Sequence, residues 1–550
     1  MQQTPLRLYP FGGVGEFGKN MMVYTLGQDA VVVDCGMGFP EAGQHGVDVV
    51  IPDIAALHAM ELNIHGILLT HGHEDHIGGL PFLLPQLKAP VYGSPVTLGL
   101  LEGKLSEIGY KADMHPLPEE GAIEVGPFGV EAIPVTHSIM DAVSIALHTP
   151  HGIAIHTGDF KFDPSPIDGK PTAVHRFSAL GDKGVLLLAS DSTNATRAGV
   201  GPSERVVGPA LRQVIADCVG KVVVTTFASN MFRIQQIIDA AVANRRKVAI
   251  AGRSLERNIG IAKDLNRLNV PTGVLVNIKE TKDIHPQELL IIATGSQGES
   301  RAAVARIAQD RFTGVRLDPG DLVVFSSSAI PGNEKMIAGL FNHIYRRGAR
   351  VIHAGQAPLH VSGHAQAHEL KMMMHLTRPK HFYPVHGEYR NLIEHKRLAT
   401  AAGIRDEDTV IAENGQSVEV DGNGIRLGEP FEVGAVFVDG IHHELDDLVL
   451  RDRRQLAGDG IMTAVVVVSR HEGRVVGLPE LITRGVYQQE AGEAMFAEAA
   501  EELHDHLDSA GKEFLSDEDA AKEEIRVWLR RWCKRKIGRR PMVVPIVVEV

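Results

Sequence analysis

The stretch GILLTHGHEDHIGGL, residues 66–80, decides how the rest of the chain is read. Its first residues are a short apolar run of the kind that forms a buried strand. Directly after it, HGHEDH at 71–76 brings three imidazoles and two carboxylates into one turn. Such a turn points donors to both sides of a small cavity, and His and Asp donors suit two borderline-soft divalent ions. One hexapeptide cannot fill two coordination spheres. Three further residues stand just past apolar β-runs and are candidates to complete them: His137 in PVTHS, Asp159 in HTGDF and His386 in YPVHGE. Asp34 ends the run VVVD and is read as a carboxylate that orients a ligand histidine from behind. His156 and His353 are read as core or hydrogen-bonded histidines.

Working outward, the first 200 residues are short β-runs, among them MMVYTL (21–26), AVVVD (30–34), EAIPVTH (131–137), VSIALHT (143–149) and GIAIHTGD (152–159). From Lys221 the texture becomes strict alternation, with strands in KVVVTTF, KVAIAG, VLVNI, LLIIATGS, DLVVFSS and RVIHAG and helices between them. Alternating strand and helix predict parallel β-α-β units, hence a separate doubly wound domain. After Ala354 the His-rich texture resumes in HVSGHA (360–365) and HFYPVHGE (381–388), so the alternating domain reads as an insertion. The expected boundaries are 1–205 and 355–445 for the two parts of the first domain, 206–354 for the insertion, 446–460 for a linker and 461–550 for a small C-terminal α/β domain. In that last domain Trp528 and Trp532 stand at i, i+4 within the basic stretch WLRRWCKRKIGRRP, a spacing that fits packing better than a nucleic-acid surface.

A net charge of −13 argues against binding nucleic acid through a broad basic surface, though not against holding phosphate at a metal site. Cys35, Cys218 and Cys533 are odd in number and far apart, which argues against a disulfide framework and fits a reducing cytosol. No apolar run approaches the roughly 18 residues of a membrane span, and a cytoplasmic protein is expected.

Asp34, HGHEDH, His137, Asp159 and His386 follow the order of the metallo-β-lactamase motifs, and the insertion resembles the β-CASP module of nucleases. GGVGEFGKN (12–20), GVDVVIPD (46–53), SDSTN (190–194), TTFASN (225–230), ATGSQGE (293–299), SSSAIPGNE (326–334), HVSGHA and PVHGEYR (384–390) are similar to the ribonuclease J family. The resemblance implies a metallo-β-lactamase αββα sandwich with an inserted doubly wound β-CASP domain and a small C-terminal α/β domain. It implies a metal-dependent ribonuclease with 5′-to-3′ exonuclease activity on 5′-monophosphate ends, and endonuclease activity, on single-stranded RNA. His71, His73 and His137 would bind one ion and Asp75, His76 and His386 the other, with Asp159 bridging; the ions would be zinc, or manganese in turnover. Asp75, Asp191 and His364 would be the catalytic groups. His360, Val361, Ser362, Gly363 and His364 would hold the phosphate near the scissile bond, while Ser229 and Asn230 bind the substrate's 5′ side. A structural calcium is implied at Gly46, Asp48 and Asp439, and a homodimer or homotetramer through the C-terminal domain.

Two departures are visible. Phe232 stands where relatives often have His, and Cys35 where Ala is commoner. Ser362 and Gly363 are placed where a strand-like run enters the helix AQAHELKMMMHL, whose N-terminal N–H groups are expected to attract phosphate. Rival readings are a lactonase, thioesterase or glyoxalase on the same fold, which has no use for the insertion, and a β-CASP nuclease acting on DNA or transfer-RNA ends. A silent scaffold is the third, disfavoured because every ligand position is filled.

Overall fold

Strands that are apolar on one side need a second apolar surface to cover them. The computed structural model describes residues 4–41, 43–330, 332–440, 443–469, 471–510 and 517–550. The chain divides into two units, Met1–Gly38 with Ile51–Ala435, and Phe39–Val50 with Val436–Val550. In the first unit two sheets share one core. The eight-stranded sheet runs Gly424–Pro430, Gln416–Asp421, Leu6–Gly12, Met21–Leu26, Asp29–Val33, Asn63–Leu68, Val91–Gly93 and Met114–Pro116 in spatial order. The six-stranded sheet runs His381–Val385, Val185–Asp191, Gly152–His156, Val143–Thr149, Phe128–Pro134 and Ala122–Val125. Leu8, Tyr24, Val31 and Val33 from the first interlock with Val130, Ile145, Leu147 and Leu187 from the second.

What places chemistry on this sandwich is the parallel pairing inside each sheet. Asp29–Val33 pairs in parallel with Asn63–Leu68, and Gly152–His156, Val185–Asp191 and His381–Val385 are parallel neighbours. Their carboxyl ends therefore emerge together. Such ends are where open sheets carry ligands.

The insertion is a six-stranded sheet in which every pairing is parallel, in the order Leu275–Val276, Lys247–Ala251, Leu289–Ala293, Val222–Thr225, Leu322–Phe325 and Arg350–His353. It has its own core of Val223, Ile291, Val304, Ile307 and Val323 among others. Arg233 ties it down. This fully buried side chain donates to Glu204 Oε1 at 2.9 and 2.6 Å, to the Ser326 carbonyl at 2.8 Å and to the Leu359 carbonyl at 2.7 Å, so its desolvated charge is paired and its donors are used.

The second unit is built on Ile461–Ser469, which pairs antiparallel with Glu480–Arg484 and in parallel with Met542–Glu549. Helices Gln489–Ser509 and Glu518–Ile537 cover one face: Leu503, Leu507, Leu529 and Trp532 pack with Met462, Ala464, Val466 and Val468. Trp532 is buried, with Nε1 donating to Glu502 at 3.2 Å, and Trp528 stacks on His506. The expected linker is largely a helix, Asp447–Asp459, because Asp446 caps it by accepting from Val449 N at 2.7 Å. Among the described residues no helix is long and apolar enough to cross a membrane.

Candidate metal centre

The strand Asn63–Leu68 delivers His71 and His73 from an extended segment, and a one-turn helix, Glu74–Ile77, then carries Asp75 and His76. His137 follows Phe128–Pro134, Asp159 follows Gly152–His156 and His386 follows His381–Val385. These seven side chains meet. One set is His71, His73, His137 and Asp159; a second is Asp75, His76, Asp159 and His386; a third, Asp159, Asp191, His364 and His386, overlaps the second; within each, one donor atom per residue lies within 4.8 Å of all the others.

In the first set His71 Nε2 and His137 Nε2 lie 3.0 and 3.1 Å from His73 Nδ1, and 3.6 and 3.5 Å from Asp159 Oδ2. In the second, His76 Nε2 is 3.6 Å from Asp75 Oδ2 and 3.4 Å from Asp159 Oδ2, while His386 Nε2 is 3.4 Å from Asp75 Oδ2 and 3.5 Å from Asp159 Oδ1. Donors about 2.0–2.1 Å from a tetrahedral ion are about 3.3 Å apart, so these spacings are those of ligands around a cation. Asp159 Oδ1 is buried without a hydrogen-bond partner, which a carboxylate oxygen tolerates poorly unless a cation satisfies it. The residues fit two divalent ions sharing Asp159.

Electrostatics differ across the centre. Burial, reinforced by neighbouring imidazoles, pushes His71 well below the usual histidine range, and burial takes His73 down to about 4 and lowers His137. Burial acts the same way on His76 and His386, but Asp159, with Asp75 and Asp34 at His76 and Asp191 at His386, overrides it and holds both well above that range. Burial would raise Asp75 and Asp159, yet the surrounding imidazoles, His76 foremost for Asp75 and His386 for Asp159, keep both low. One side thus presents neutral imidazoles, and the other must release protons when a cation enters.

A ring of partners fixes the donors. Asp34 Oδ2 contacts His76 Nδ1 at 2.7 Å and accepts from Thr70 Oγ1 at 2.8 Å, while its Oδ1 accepts from Thr70 N at 2.8 Å. His137 Nδ1 donates to the Gly363 carbonyl at 2.8 Å. Asp191 Oδ2 lies 2.8 Å from His364 Nδ1, and its Oδ1 accepts from Thr193 Oγ1, which in turn is 2.8 Å from His386 Nδ1. Asp191 therefore orients two histidines. Asp34 and His386 both have left-handed backbone, φ 60° and 56°, a conformation that Asp and His adopt more readily than most residues.

The segment 360–364 lies beside the centre. Val361 is buried, Asn194 Nδ2 donates to Ser362 Oγ at 2.9 Å and to the His364 carbonyl at 3.1 Å, and the His360 Nδ1 is buried without a partner. The expected phosphate site at the following helix is not formed. That helix starts at Ala367 with a capping box of Gln366 and Glu369, whose carboxylate accepts from Gln366 N, while Ala367 N and His368 N donate to the carbonyls of Arg197 and Gly199. Its first N–H groups are spent and a negative charge sits among them. Asn230 likewise caps a helix, accepting from Arg233 N at 2.9 Å, with the half-buried Ser229 just before it. Phe232, buried, lines a cavity of about 460 Å³ together with His137, Ile139, Lys161 and Arg267. Cys35 is buried, where a small side chain suffices. His156 is held by Tyr24 Oη at 3.0 Å and His353 stacks on Phe341.

Sequence reasoning did not single out Asn20, Thr70, Thr193, Asn194 or Arg233. Asn20 Nδ2 donates to the Asp75 carbonyl at 2.9 Å and lies 3.2 Å from His76 Nε2. Asn20, Thr193 and Asn194 stand in GGVGEFGKN and SDSTN, so motif membership was the available signal.

An αββα sandwich with a doubly wound insertion and a two-set His and Asp centre defines a hydrolase of the metallo-β-lactamase superfamily with a β-CASP module. Comparison with known families agrees segment by segment: the metallo-β-lactamase superfamily matches residues 14–198, the ribonuclease J β-CASP domain 219–344, the Zn-dependent metallo-hydrolase RNA specificity domain 352–411 and the ribonuclease J C-terminal domain 448–550. Ribonuclease J 1 of Streptococcus pyogenes is 39% identical over 100% of this chain and 98% of its own length. Ribonuclease J of Mycobacterium tuberculosis is 39% identical over 99% and 97%, and that of Helicobacter pylori 36% over 98% and 79%. A crystal structure of a protein of unknown function from Enterococcus faecalis shares the fold, with a TM-score of 0.53 at 14% identity, covering 76% of this chain and 100% of that one. The chain belongs to the ribonuclease J family and is a metal-dependent ribonuclease.

Proposed function

We propose that the chain degrades single-stranded RNA in the 5′-to-3′ direction from 5′-monophosphate ends, and also cuts internally, in RNA maturation and messenger decay. The observation that carries this reading is Asp159 shared between two donor sets with ligand-like spacing, beside a histidine, His364, held by Asp191. His71, His73 and His137 would hold one ion, Asp75, His76 and His386 the other, and Asp159 both. Zinc suits the His-rich set, and manganese suits the same donors when it replaces it. Two such ions supply a nucleophile from water at neutral pH and neutralise charge at phosphorus.

The protein's own groups supply the rest. His364 donates a proton to the leaving oxygen: burial lowers its pKa, but Asp191 and then Asp159 more than compensate and raise it, which favours the protonated ring. Asp191 works through His364 and His386 rather than on substrate. Residues 360–364 line the phosphate path, and Ser229, with the Asn230 amide nitrogen, faces the substrate's 5′ side.

The C-terminal unit leaves Val544, Ile546, Val548 and Ile482 exposed on its sheet, a surface suited to a second copy in a homodimer or homotetramer. Three buried free thiols accord with a reducing cytoplasm.

The test is purified protein with manganese and RNA bearing a 5′-monophosphate or 5′-triphosphate, labelled at either end. Mononucleotides released from the monophosphorylated RNA alone are expected. Equal hydrolysis of matched DNA, or release that starts at the 3′ end, would remove the proposal.

A further inference from the structure

Gly46, Asp48 and Asp439 come together in the second unit, but a side chain of the protein already occupies the Gly46 carbonyl and the Asp439 carboxylate. Arg453, on the helix Asp447–Asp459, donates Nη2 to Asp439 Oδ2 at 2.6 Å and Nη1 to the carbonyls of Gly46 and His45 at 2.9 and 3.4 Å. Asp48 Oδ2 accepts from Gly440 N at 3.0 Å, and Asp48 N donates to the Val438 carbonyl at 2.9 Å. The fit depends on Gly46: its φ is +74°, and a Cβ there would lie 2.5 Å from Arg453 Nη1.

Calcium collects about six to eight oxygens at roughly 2.3–2.6 Å. It cannot take the Gly46 carbonyl and the Asp439 carboxylate while a guanidinium is bonded to both and repels a second cation. The implied calcium therefore does not fit these residues as they stand. We propose that Arg453 is a built-in cation replacing that ion, so that the loop at residues 45–48 and the turn at 438–440 are fastened to the helix without metal. A planar fork suits the task, since it bonds a carboxylate and backbone carbonyls at once.

The protein is stripped with chelator, reloaded with zinc alone, and followed by thermal melting and by calcium content after gel filtration. The parent is expected to melt at one temperature with or without millimolar calcium chloride and to carry no calcium through the column. Arg453→Ala is expected to melt about 2–4 °C lower. It should retain about one calcium per chain and regain part of the loss when calcium is added. Arg453→Lys, which keeps the charge without the fork, should fall between. If Arg453→Ala does not fold, Arg453→Gln gives the same readouts at nearly the same side-chain length. Calcium retained by the parent, or a calcium-dependent rise in its melting temperature, overturns the proposal. So does Arg453→Ala melting like the parent, or losing stability while ignoring calcium.

Discussion

His76, His137 and His386 are each held by a partner that never needs to touch a metal, and those partners are where single substitutions are most informative. Asp34 fixes the His76 ring through Nδ1. Asp34→Ala is expected to weaken zinc binding by about 10–100-fold while the fold persists, measured by competition with a chromophoric chelator. His364→Ala should lower kcat by about 10²–10⁴-fold with zinc content unchanged. Asp191→Asn tests the same proton from behind. Because Asp191 raises the His364 pKa, its loss should move the alkaline limb of the kcat–pH profile to lower pH; a limb that stays put means the proton comes from elsewhere. The seven side chains that converge were recognisable because each stands just beyond a β-run, where strand ends present side chains to ligands. Asn20 and Asn194 were not, since their partners lie 55 and 168 positions away and only the folded sheets bring them near.

Elements decide whether those residues can meet at all. The segment 360–364 must pass close to His137, and Gly363 allows it: a Cβ there would lie 2.7 Å from the His137 ring and 2.8 Å from Ser138 N. Gly363→Ala is therefore expected to displace His137 and reduce both metal content and turnover by at least about 10-fold, an effect in the range found when a ligand loses its support. A variant with full zinc content would show the segment to be more yielding than its packing implies. Strand and helix alternation in the insertion was legible because period and composition change together at Lys221. The helix after HVSGHA was read two residues early, and its N-terminus as a phosphate site, because a capping box one turn in leaves the same pattern as an open end. The helix Asp447–Asp459 was masked by its polarity, with Leu450 as its one buried residue.

At the scale of the whole molecule, buried histidines tie stability to pH. Burial takes His395, whose Nδ1 meets Ser192 Oγ at 3.0 Å, down to about 3. Unfolded, it titrates near about 6.5. Between these values the unfolded chain binds the extra proton, so its contribution is complete above about 6.5 and is lost as pH falls toward the folded value. His76 and His386 shift the other way, so the readout is a difference: the melting-temperature gap between parent and His395→Gln should shrink from pH 6.5 to 4. A gap that widens would reverse the assignment. Ile546→Glu, on the uncovered sheet of the second unit, should yield monomers by light scattering. The order of the metal donors along the chain also matters during synthesis. His71 to Asp159 leave the ribosome long before His364 and His386, which follow the insertion. A half-made polypeptide therefore lacks His364 and His386, and the second donor set, with the histidine proposed to give up the proton, is completed only once most of the chain has emerged.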